Sequence, residues 1–113
     1  MQKRPRILQG KTVVIKTGLG KVYITVNELD GKPFEVFAIA GKSGKSIQAK
    51  TEAIGRLVSL NLRNDIPVED IIKQLKDIGD DIPVQDGLLP TQDKLVKSIP
   101  DAIAIILKEF YCV

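Results

Sequence analysis

The rhythm of apolar and polar positions changes once along this chain. From Gly10 to Thr17, Thr12, Val14 and Lys16 alternate with Val13, Ile15 and Thr17 in a stretch rich in β-branched residues, which predicts a strand. After a short turn at Gly18-Leu19-Gly20, Lys21 to Leu29 sets Val22, Ile24 and Val26 on one face against Tyr23, Thr25 and Asn27 on the other, the pattern of a half-buried strand. Asp30-Gly31 is a type I′ hairpin signal, because that turn needs positive φ, which Gly supplies and Asp tolerates. It leads into a third strand over Phe34 to Ala40, with Pro33 at its beginning, where no ladder donor is needed.

Beyond Gly41 to Ser46 the period becomes helical. A helix of about 17 residues follows, with Ile47, Ile54, Leu57, Val58 and Leu62 as its apolar stripe and with Ala53 and Gly55 small enough to let it lie close to the sheet. Asp65-Ile66-Pro67 opens a second helix, with Pro in the first turn, Glu69 and Asp70 near the positive end of the macrodipole, and Val68, Ile71, Ile72, Leu75 and Ile78 at helical spacing. Gly79 to Lys97 reads as a long connection broken by Pro83, Gly87 and Pro90. Ser98-Ile99-Pro100-Asp101 has the form of a capping box, in which the Ser hydroxyl and the Asp carboxylate satisfy free amides at a helix start. The third helix, to about Phe110, is apolar nearly all round, so it needs cover from the rest of the domain or from a second copy. The expected architecture is α+β: a three-stranded antiparallel meander followed by three helices packed on the sheet.

Composition narrows the chemistry. A chain of 113 residues, 43% hydrophobic, fits one domain with an aliphatic core, which we place at residues 10–113 behind a flexible basic arm at residues 1–9. Its longest uninterrupted apolar run, Ala102 to Leu107, is too short to span a membrane, and the basic N-terminus has no apolar signal region, which reads as cytosolic. There is no histidine, and Cys112 is the single cysteine, which removes His-based acid–base chemistry, Ser-His-Asp and Cys-His nucleophiles, intramolecular disulfides and Cys/His metal clusters. Residues 1–50 carry ten Lys and Arg against three Asp and Glu, whereas residues 51–113 carry seven against eleven. A basic half attracts nucleic acid or another polyanion, docks on an acidic neighbour, or is simply solvated.

Two features invite functional readings. The turn Gly41-Lys42-Ser43-Gly44-Lys45-Ser46 joins a strand to a helix N-terminus with glycines and lysines, the parts that cradle a phosphate. The spacing of a phosphate loop fails, because Val36 or Ile39 stands where the first glycine belongs. Weak anion binding by this turn is one expectation, and an ordinary connection with Ser46 capping the helix is the other. Lys3, Arg4 and Arg6 on the arm form a second cationic group, with Tyr23 the one aromatic that looks like a surface stacker. The carboxylate pairs Glu69-Asp70 and Asp80-Asp81 read as caps and solubilising charge, with no catalytic role assigned.

Taken in order, GLGKVYITVNELDGKPFEVFAIAGKSG, TEAIGRLVSLNLR, VEDIIKQLKDIG and SIPDAIAIIL resemble the TSCPD domain, a C-terminal module of adenosylcobalamin-dependent ribonucleotide reductases that also occurs in small free-standing proteins. The match covers Lys11 to Leu107. The family is named for a Ser-Cys-Pro-Asp motif, which here reads Ser98-Ile99-Pro100-Asp101. Cysteines common in the family, read as metal ligands, align with Leu19, Ser46, Asp80 and Ile99, so the resemblance implies the scaffold without the metal site, and no cofactor is expected. If the alignment is right, those four positions gather at one end of the domain. The expected function is a non-catalytic accessory or protein-interaction module of ribonucleotide-reductase type, partnered by a reductase subunit or by its own copy through the third helix. The alternative is a nucleic-acid or nucleotide-phosphate binder using Lys3, Arg4, Arg6, Lys42 and Lys45.

Overall fold

The computed structural model describes residues 2–41, 44–80 and 88–112. Three antiparallel strands come first, β1 (Gln9–Thr17), β2 (Gly20–Leu29) and β3 (Lys32–Ala40), followed by three helices, α1 (Gly44–Arg63), α2 (Val68–Leu75) and α3 (Ile99–Tyr111). The sheet order is β1-β2-β3, so the alternation in the sequence is realised as the expected meander and the helical periodicities as three helices, although α2 stops at Leu75, with Pro67 at its N-cap and Ile78 beyond its end. The β2-β3 turn has Asp30 at φ 53° and Gly31 at φ 77°, the two positive angles a type I′ turn requires. A register shift at Asn27/Glu28, where Asn27 pairs with Glu35 but Glu28 with Pro33, leaves Phe34 as an extra residue on β3.

One face of the sheet is concealed. Ile15, Val22, Ile24, Val26, Val36 and Ala40 pack with Val58 and Leu62 of α1, Ile71 and Ile72 of α2, and Ile99, Ala102, Ile103, Ala104, Ile106 and Leu107 of α3. Each buried Ile, Leu or Val side chain in this set contributes roughly 1.5–3 kcal/mol by leaving water. The third helix is therefore covered by its own domain, packed against α2 and against the strands.

Helix α1 departs from its expected register in two ways. It begins at Gly44 rather than Ile47, which puts Ser46 inside its first turn and not at its N-cap. Its buried face is Thr51, Gly55, Val58, Ser59 and Leu62, whereas Leu57 is 61% exposed and Ala53 is exposed. Small residues win this face because α1 runs along the outer edge of β3: a Cβ at Gly55 would lie 3.1 Å from the Val36 carbonyl oxygen, closer than side chains pack without movement. Ser59 completes the contact. Its hydroxyl accepts from the Val36 amide at 2.9 Å and lies 3.1 Å from the Val36 carbonyl, so it meets the backbone groups an edge strand leaves open.

The opposite edge is closed differently. Gln92 accepts from the Lys16 amide at 2.8 Å and donates to the Lys16 carbonyl at 3.1 Å, so a single side-chain amide stands in for a neighbouring strand. Nearby, Ser98 caps α3 by accepting from the Asp101 amide at 3.2 Å. Asp101 does not complete the expected reciprocal box. It accepts from the amides of Asp77 at 2.8 Å and Lys97 at 3.0 Å, while Ser98 donates to the Ile78 carbonyl, so the motif ties the exit of α2 to the start of α3.

Candidate functional site

The period-two pattern leaves a second sheet face, and among the described residues no helix covers it. Across the strands its residues form rows set by the ladder register: Val14, Tyr23 and Ile39 in one, Thr12, Thr25 and Phe37 in the next. Val14, Tyr23, Phe37 and Ile39 are between 37% and 64% exposed, while the side chains one position along the same strands are buried. The threonine hydroxyls of the second row bond each other at 2.7 Å. Between β3 and α1 runs a groove of about 690 Å3, lined by Phe37 and Ile39 of β3 and by Gly55, Ser59 and Leu60 of α1.

Each end of the face is basic. At one end Lys16 pairs with Lys21 across the strands. At the other, the Glu35 side chain is wholly buried and receives Arg4 Nε at 2.9 Å, Arg4 Nη2 at 3.0 Å, Arg63 Nη2 at 2.8 Å and Asn27 Nδ2 at 2.6 Å. Burial pushes the Glu35 carboxyl up, but the hydrogen bonds from Arg4, Asn27 and Arg63 and the charge of Arg4 outweigh it and hold the group below the usual carboxylate range. Two guanidiniums on one carboxylate leave this cluster with a positive balance. Arg63 also lies 5.1 Å from the centroid of Phe34, a cation–π contact.

The cationic residues singled out in the sequence are thus dispersed in role. Arg4 is committed to Glu35, and the Gln2 amide donates to the Arg63 carbonyl at 3.2 Å, so this part of the basic arm is tied to the Glu35 end of the sheet and to the end of α1. Lys3 and Arg6 are exposed beside it. In the strand-to-helix turn, Gly41, Gly44, Lys45 and Ser46 are exposed, whereas Lys42 and Ser43 lie outside the described residues.

Of the positions aligned with family cysteines, Leu19 is half-buried against the core and Ile99 is within it, both in apolar surroundings. Ser46 is exposed in the first turn of α1, and Asp80 donates its amide to the Lys97 carbonyl at 3.3 Å, which sets it beside the start of α3 and Ile99. Among the described residues no group of three or more His, Cys, Asp or Glu side chains stands together as metal donors. The thiol of Cys112, at the C-cap of α3, is pushed up by burial and by Glu69, which disfavours the reactive thiolate.

Sequence reasoning singled out Tyr23 but missed Phe37, Ile39 and Glu35. The signal was present in KPFEVFAIA: apolar residues occupy both alternating sets of β3, a pattern that asks for cover on both faces. Glu35 could be found as the one charged residue interrupting that apolar strand.

A family model described as TSCPD domain matches residues 1–111. No curated protein matches the chain, and no solved structure does.

Proposed function

The chain belongs to the TSCPD domain family, and we propose that it works as a non-catalytic accessory module of ribonucleotide-reductase type, a binding domain whose working surface is the open face of its sheet. The observation that carries this reading is the exposure of Val14, Tyr23, Phe37 and Ile39 side by side on one face of a sheet whose other face is packed into the core. Apolar side chains left adjacent to one another in water are what a contact surface presents. The association with ribonucleotide reductases comes from the family resemblance, and a cytoplasmic location accords with that setting. No described helix is long and apolar enough to cross a membrane. The reading directs attention away from α3, whose apolar residues are already occupied within the domain.

The test is a double substitution, Val14→Asp with Ile39→Asp, on the immobilised full chain. The variant is expected to keep the far-UV circular dichroism of the parent and to lose capture of reductase subunits and of nucleic acid from the native cell. Capture unchanged by the substitutions, or no capture of either by the parent chain, overturns the reading.

A further inference from the structure

The open face has a chemistry that selects among occupants. Tyr23 on β2 and Phe37 on β3 are diagonal neighbours, because Tyr23 pairs with Ile39 and Thr25 with Phe37. Diagonal positions on adjacent strands lie roughly 7–8 Å apart, a spacing at which an extended, unstacked strand can lay successive bases on the two rings. Both rings are exposed, Tyr23 at 44% and Phe37 at 51%.

Charge brackets these rings. From the row of Gly10, Asn27 and Glu35 to the row of Lys16 and Lys21 the face runs six residues along β1, about 20 Å at the rise of a strand. Lys21 is exposed at one end, and the Arg4-Arg63-Glu35 cluster, with its surplus cation, occupies the other. Glu35 is the one carboxylate among the outward strand positions and is neutralised by its partners. On the groove wall, Glu52 is paired with Arg56 at 3.1 Å.

A second copy of this chain fits poorly, because stacking two such faces in either sense sets cation against cation. An anionic ligand with flat apolar groups fits both features at once. We propose that the open face binds single-stranded nucleic acid, with bases stacked on Tyr23 and Phe37 and the phosphate backbone drawn to Lys21 at one end and to the arginine cluster at the other. The inference rests on the open face being the working surface. The length of the face suits a site of about four nucleotides, the short end of the range for sheets that bind single strands.

The experiment is fluorescence polarisation of the full chain with labelled 12-mers of single-stranded DNA, of RNA of the same base sequence, and of a DNA duplex. Single strands are expected to bind, with affinity falling roughly tenfold between 50 and 200 mM salt, as two to three released counterions predict. Tyr23→Ala and Phe37→Ala should each weaken binding at least about fivefold, Lys21→Glu should weaken it and flatten the salt dependence, and Lys73→Glu on α2 should leave it unchanged. Preference between the DNA and RNA arms identifies the sugar the face accepts. No binding at 50 mM salt, equal binding of duplex, or ring variants that bind as tightly as the parent overturns the proposal. If the oligonucleotides fail while Val14→Asp with Ile39→Asp still abolishes capture of a reductase subunit, the face remains a docking surface and its ligand is an acidic protein. If capture also survives, the reading of the face falls with it.

Discussion

Ile24 and Tyr23 are adjacent on β2, yet one is fully buried and the other 44% exposed. The same contrast separates Val36 from Phe37 and Ile15 from Val14. Both faces of this sheet are built from large apolar residues, but among the described residues only one is filled by the chain itself. Hydrophobicity along a strand therefore states that a side chain is better off out of water without saying what takes it out. On the concealed face it is chiefly α3, and on the open face the described residues supply a basic arm at one end.

This contrast can be broken by substitution. The largest effect is expected from Ile103→Ala, which removes a fully buried side chain beneath the sheet and should cost about 2–5 kcal/mol, read as a lower urea midpoint with an unchanged slope. Next comes Glu35→Ala, where the open face has its own buried hub. Loss of the shared acceptor for Arg4, Arg63 and Asn27 should cost about 1–3 kcal/mol, moderated because both arginines keep contact with solvent. The same residue gives the parent an acid limb. Because its folded pKa is depressed, Glu35 stabilises the fold above the unfolded carboxylate value of about 4.3, and that contribution is lost as pH falls through the folded value. Thermal melts of the parent and of Glu35→Gln between pH 6 and 3 should converge toward the acid end, and parallel curves would show that the cluster contributes no pH-dependent stability.

Smaller effects separate the two edges. Ser59→Ala strips the side-chain acceptor from the Val36 amide and should cost about 1–2 kcal/mol, because that site is buried under α1. Gln92→Ala should cost less, about 0.5–1.5 kcal/mol, since water reaches the Lys16 edge once the amide is gone. Smallest of all is Ile39→Thr on the open face, expected within about 0.5 kcal/mol of the parent, with any change appearing in binding and solubility rather than in melting. A large destabilisation there would mean that the second face is packed after all.

The meander and the three helices were legible because alternation, the Asp30-Gly31 turn and the spacing of α2 all point one way. The face of α1 was not, since a stripe drawn from large apolar residues favours Leu57 over Gly55 and Ser59. Only the approach to a strand edge makes the small residues the buried ones. The S-x-x-D spacing makes Asp101 a local cap, whereas its actual partners include Asp77, 24 positions away, which no local rule identifies. The open face was half legible: Tyr23 was visible as a polar-ended aromatic, whereas Phe37 reads as core until the arrangement of helices is known.

The clasps at Asp101 and Gln92 also set an order of release. The Asp77-Asp101 bond spans 24 residues and the Lys16-Gln92 bond spans 76. In a flexible chain the longer closure costs about 1 kcal/mol more in entropy. The pair formed by α2 and α3 can thus hold together while the tie to β1 lets go, and the sheet edge at Lys16 becomes the seam along which the domain first opens. Native-state hydrogen exchange would register this as earlier labelling of the Lys16 amide than of the amides of Asp77 and Lys97, and the reverse order would place the seam between the two helices.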